Sequence, residues 1–160
     1  MKYIKYILLY LFIFSIENSI IKLISINGIV PDLSLIFLIF FGFKESQVKS
    51  TITGLIIGLF VDIFNFNLVG LTSLAKSVTG FLSSYFQQIK KNVTPSRIAL
   101  SVLVLSLIHN IIIQIILSIG TDTGILKLIV YKSVPGAVYT TIFAVIINFL
   151  FFRLIWSRQK

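Results

Sequence analysis

The side chains able to do chemistry in this sequence are few. Its acids are Glu17, Asp32, Glu45, Asp62 and Asp122, its one histidine is His109, and it has no cysteine. A disulfide framework, a thiol nucleophile and a thiolate metal site are therefore excluded. Five acids cannot furnish both a metal cluster and general acid–base machinery. No Gly-rich phosphate loop, serine-nucleophile elbow or His-Glu-x-x-His run appears, and no carboxylate is spaced to orient His109. His109 reads as a hydrogen-bonded packing residue. No catalytic, cofactor-binding or metal-ligating residue is assigned, no cofactor is expected, and the chain reads as a non-enzyme.

The remaining ionisable groups matter because of their surroundings. Of the 160 residues, 57% are hydrophobic and only 12% charged, and the mean hydropathy is +1.03. A soluble domain carries roughly 25% charged residues, and a chain this small is mostly surface, so it could not hide so much apolar area from water. Lipid must be the solvent for most of it, and only helices or closed barrels satisfy every backbone group there. Runs such as Ile4–Ile16, Leu33–Phe43 and Leu100–Leu117 do not alternate as barrel strands would. The expected fold is all-α, a polytopic membrane bundle. The net charge of +9 does not point to nucleic acid, because the bases sit in short breaks between apolar runs.

Spans of about 20 apolar residues are expected at 4–26, 30–43, 51–67, 69–88, 98–119 and 133–155, the second and third being short, which suits a tilted, bundle-buried or partly re-entrant helix. The whole chain, 1–160, forms one membrane domain. The basic start runs on into further apolar sequence without a small-residue cut site, so signal cleavage is not expected. With six spans, Lys2, Lys5, Lys44, Lys49, Lys90, Lys91, Arg97, Arg153, Arg158 and Lys160 fall on one side, against Lys22, Lys127 and Lys132 on the other. The positive-inside bias then places both termini in the cytoplasm. Asn92-Val93-Thr94 fits a glycosylation sequon, but falls in a loop on that cytoplasmic side. Trp156 sits where an interfacial anchor belongs.

In lipid, small residues and polar side chains hold helices together. Such stripes recur at helical spacing: Ser15, Asn18, Lys22 and Ser25; Gly54, Gly58, Asp62 and Asn65; Ser73, Ser77, Gly80 and Ser84; Ser106, Asn110, Gln114 and Ser118; Gly136, Thr140, Ala144 and Asn148. They read as packing seams, or as the lining of a cavity or a groove for a partner helix. Glu17, Asp62 and Lys76 lie at membrane depth, where an uncompensated charge costs about 2.5–3.5 kcal/mol on insertion scales. Asp62 falls roughly 7 Å and Lys76 roughly 10 Å below the outer surface. An Asp62–Lys76 ion pair bridging spans three and four is expected.

Pro31-Asp32-Leu33 opening an apolar helix, the run Gly54-Leu55-Ile56-Ile57-Gly58-Leu59-Phe60-Val61-Asp62, and Leu68-Val69-Gly70-Leu71 leading into a small-residue helix follow in an order and spacing that resemble MreD, the rod shape-determining membrane protein family of bacteria. The resemblance covers residues 29–86, and the size, the six spans and the short basic C-terminus agree with it. Pro31, Asp32, Gly58, Asp62 and Gly70 match the pattern, whereas Lys76 is not part of it. The resemblance implies a non-enzymatic scaffold of the cell-elongation complex in the bacterial plasma (inner) membrane. It would dock the bitopic protein MreC and, through it, serve MreB and the RodA–transpeptidase peptidoglycan synthase. It further implies a six-helix fold similar to the substrate-binding S components of energy-coupling-factor transporters. An S-component-like subunit for a vitamin is the competing reading. Such a binder would want a roomy outer pocket with convergent polar groups and aromatics, and the short outer loops supply little of that. A pore would need polar residues through the whole depth of the bundle, and here they concentrate in the outer half.

Overall fold

A computed structural model describes residues 2–19, 24–25, 28–65, 69–86, 95–119 and 129–156. All of its regular elements are helical: α1 (Lys2–Ser19), α2 (Leu33–Gly42), α3 (Gln47–Asn65), α4 (Leu71–Tyr85), α5 (Pro95–Ser118), and α6 (Val134–Trp156), which is entered through a π-helical turn (Ile129–Ser133). Three stretches are long and apolar enough to cross a membrane, namely Gln47–Phe64, Ser96–Ser118 and Ile129–Leu150, and α2 is a shorter apolar helix. The third helix is longer than its expected bounds, because Gln47 and Lys49 belong to its first turn. Lys22, Lys90, Lys91, Asn92, Asp122, Lys127, Arg158 and Lys160, and the side chains of Asn65, Arg153 and Trp156, lie outside the described residues.

The helix starts follow local chemistry. Asp32 is the N-cap of α2, with an extended backbone and its side chain accepting from the Leu35 N–H. Pro95 opens α5, a position where a missing N–H breaks no helical bond, and Pro135 stands just after the π-helical turn that leads into α6. Before α4 the chain turns through Gly70 at φ +98°, a left-handed conformation that a side chain would strain.

Distribution of side chains over these helices is inverted relative to a soluble bundle. Ser34, Ser50, Asp62, Lys76, Thr79, Ser83 and Ser106 are completely enclosed, while Phe12, Ile56, Ile63 and Leu100 are exposed and Phe149 is 83% exposed. Water-soluble helices do the reverse. Hydrocarbon outside and polar seams inside account for both halves of the pattern.

The second helix occupies the centre. One face, with Leu35, Ile36, Ile39 and Phe43, packs on Ile98, Val102 and Leu105 of α5 and Ala144 of α6. The other, with Phe37 and Leu38, packs on Tyr10 and Phe14 of α1 and Ile57 and Val61 of α3. Neighbours on both sides explain why Leu-Ser-Leu-Ile-Phe-Leu-Ile-Phe-Phe-Gly has no polar face. Rings fasten α1 to this core: Phe14 lies 4.8 Å from Phe60 and 5.3 Å from Phe64, and Tyr6 lies 5.2 Å from Phe41.

Helices α3 and α4 form the closest pair, antiparallel and in backbone contact. A Cβ on Gly54 would collide with the Lys76 carbonyl, one on Gly58 with the Ser73 backbone, and one on Gly80 with the Ser50 carbonyl. Helices α5 and α6 pair through polar side chains. The Asn110 amide donates to the Ser133 carbonyl at 3.2 Å, and the Ser106 hydroxyl reaches the Leu103 carbonyl at 3.1 Å and, at 3.5 Å, the Ala137 carbonyl.

Candidate functional site: a buried polar centre at the start of the second helix

Every helix leaves its first backbone N–H groups without an intrahelical partner. In α2 these groups open inside the bundle, so the bundle itself must satisfy them. The Leu35 N–H donates to Asp32 Oδ1 at 2.6 Å, and the Ser34 N–H donates to Glu17 Oε2 of α1 at 3.0 Å. The Asp32 N–H donates to Thr140 Oγ1 of α6 at 3.3 Å. Two other helices, α1 and α6, thus converge on one helix start.

Lys76 of α4 completes the centre. Its Nζ donates to Asp32 Oδ1 at 3.0 Å and Oδ2 at 3.1 Å, and to Ser34 Oγ at 2.6 Å. Ser34 in turn donates from its hydroxyl to Asp32 Oδ1 at 2.8 Å. The lysine side chain has no exposed surface, while that of Asp32 keeps about a quarter of its own. An ammonium donates three bonds, and all three donors have acceptors here. Pro31, fully buried, fixes the chain just before the cap.

This geometry corrects the expected Asp62–Lys76 pair. Asp62 is spent on the start of α4 instead: Oδ2 accepts from the Gly70 and Ser73 N–H groups at 2.9 and 3.2 Å, and Oδ1 from the Thr72 N–H at 3.1 Å. The physical reason lies in the hairpin. Antiparallel packing sets Asp62 beside the first turn of α4, where backbone donors wait. Lys76 lies further along α4 and reaches across to α2. Glu17 and Lys76 do meet at one centre, through Ser34 and Asp32, and Asp62 serves a separate one. Gly54 and Gly58 lie on the α3–α4 contact, and Gly70 donates to Asp62.

Sequence alone does not pair Asp32 with Lys76, because Pro31-Asp32-Leu33 there only opens an apolar helix. The available signal was Pro31-Asp32-x-Ser34, a helix-start pattern in need of a buried cation if the start lies at membrane depth. His109 is buried on α5, with Nδ1 3.3 Å from Asn110 Oδ1 and no hydrogen-bond partner for Nε2 among the described residues. Among those residues no three His, Asp or Glu side chains are placed to share a metal ion. The arrangement can neutralise charge and lock helices together.

A family model for "rod shape-determining protein MreD" matches residues 1–158. No curated protein and no solved structure matches the chain.

Proposed function

The chain belongs to the rod shape-determining protein MreD family, and we propose that it acts as a multi-pass, non-enzymatic scaffold in the bacterial inner membrane. In this reading it docks an MreC-like bitopic protein and, through it, supports MreB and the RodA–transpeptidase synthase in building peptidoglycan. The family match over nearly the whole chain carries the proposal. The inverted surface supports it: exposed Ile, Leu and Phe offer apolar helix faces to lipid or to a partner's transmembrane helix. So does the polar centre, whose groups bond one another instead of converging on a ligand. The transporter-subunit alternative finds no support in the comparisons.

Support for six crossings comes from the pairing of helices. With Gly80 beside Ser50 and Gly58 beside Ser73, α4 returns to the level at which α3 began. Helix α6 runs back along α5 in the same way. If α3 and α5 cross, their partners recross.

Depletion in a rod-shaped host, combined with mild-detergent purification of the tagged chain, tests the role. Rounded cells and recovery of an MreC-like protein are expected. Cells that keep their rod shape and normal wall synthesis after full depletion would refute the scaffold.

A further inference from the structure

Where α4 ends and α5 begins, Phe86, Arg97, Leu100, Ser101 and Val104 line an open groove of about 310 Å³, at the small end of ligand-sized cavities. Among the described residues its lining is almost wholly apolar and its one charged side chain is Arg97. The polar and apolar parts are not mixed. Arg97, Leu100, Ser101 and Val104 follow at helical spacing along one face of α5, so Arg97 stands at one end of the lining. The apolar wall then runs roughly 10 Å along the axis from it. The Ser101 hydroxyl is engaged with the Arg97 carbonyl at 2.8 Å and adds no second polar anchor. Leu100 is exposed and Val104 partly so, on a surface that faces hydrocarbon.

A cation followed by an apolar track is the outline of a phospholipid. We propose that this groove holds one anionic phospholipid, its headgroup phosphate on Arg97 and an acyl chain along Phe86, Leu100 and Val104. Charge complementarity selects the anionic class, because the chain carries +9 overall and basic pockets between membrane helices hold anionic headgroups. A guanidinium has five donors in a fork that fits a phosphate, so it can serve a lipid while keeping a contact within the protein. The groove needs a bilayer but no protein partner. Failure of the lipid experiment would therefore leave the scaffold role standing, and the reverse also holds.

The full chain, purified in dodecyl maltoside, is incubated with dioleoylphosphatidylglycerol or dioleoylphosphatidylcholine, and retained lipid is counted by native mass spectrometry. One phosphatidylglycerol per chain should be retained, with phosphatidylcholine about tenfold weaker. Arg97→Gln should bring phosphatidylglycerol down to the phosphatidylcholine level. Val104→Trp, which fills the track and spares the cation, should also expel the lipid. Lys49→Gln removes a charge at the same end of the bundle, outside the groove, and should change nothing. Equal retention of both lipids, indifference to Arg97→Gln, or an equal loss in Lys49→Gln would overturn the site. Displacement by millimolar inorganic phosphate would show an anion site without lipid, and would overturn it as well. Circular dichroism checks that each variant is folded, and should Val104→Trp unfold, Arg97→Gln decides.

Discussion

Lys76 illustrates how a single charge can be tolerated where hydrocarbon surrounds the molecule. Alone, its ammonium would be expensive; bonded to both oxygens of Asp32 and to Ser34, it neutralises a carboxylate that the α2 start requires. Each partner is therefore costly without the other. Lys76→Met should destabilise the protein by about 3–5 kcal/mol, the usual penalty for stranding one member of a buried pair. Asp32→Asn combined with Lys76→Met should recover part of that loss, since Asn still caps a helix and the carboxylate bonded to Lys76 goes with it, leaving Glu17 as the acid of the centre. Unfolding by SDS titration from mild detergent, followed by circular dichroism, measures both. A single variant as stable as the native chain would mean that Asp32 is hydrated and the pair carries little.

At the level of elements, the second helix and the α3–α4 hairpin follow different rules. Ten residues of α2 span only about 15 Å, half of a bilayer core, because the helix begins at the depth of Lys76 and Thr140 and not at the surface. Its extended lead-in through Pro31 and Asp32 is tolerated at such depth only because protein, not lipid, surrounds it. The hairpin instead depends on missing side chains. Gly58→Leu puts a side chain onto the Ser73 backbone, and since neither helix can yield locally the pair must separate, at a cost of about 1–3 kcal/mol or more. Gly58→Leu should lower the detergent unfolding midpoint, whereas Ile56→Leu, on the exposed side of the same helix, should leave it unchanged. Equal midpoints would show that the helices are not in backbone contact. Sequence made these elements unequally legible. Gly54-x-x-x-Gly58 and the stripe of Ser73, Ser77 and Gly80 announced a close helix pair, since small residues at that spacing have few other uses. Asp62 stands out in the sequence as an acid at membrane depth, but its partners do not, because orphan backbone N–H groups at the start of α4 leave no trace in residue type. Asp32–Lys76 was hidden for a topological reason: residues 44 positions apart meet only once α2 is known to sit in the middle, and nothing local in Leu33–Gly42 says so.

For the whole molecule, helix pairing constrains the number of crossings more than helix length does. Length alone singles out three crossing helices, and three crossings would put the termini on opposite sides. The contacts argue otherwise. Gly54 beside Lys76 and Gly80 beside Ser50 force α4 to travel back over the full course of α3, although its 15 residues make only about 22 Å. Asn110 beside Ser133 at one end, and Val102 and Leu105 with Ala144 further along, do the same for α5 and α6. Helix α2, whose final Phe43 packs with Ile98 near the start of α5, must descend to the same face from which α3 and α5 set out. That face carries Lys44, Lys49 and Arg97, and in the proposed topology the positive-inside bias turns it to the cytoplasm. Green fluorescent protein fused after Glu45 or after Lys91 should therefore fluoresce, and alkaline phosphatase fused at either site should be inactive. Phosphatase fused after Val69, at the opposite end of the hairpin, should be active. An active phosphatase after Lys91 would invert the bundle, and would place Arg97 and its groove in the outer leaflet.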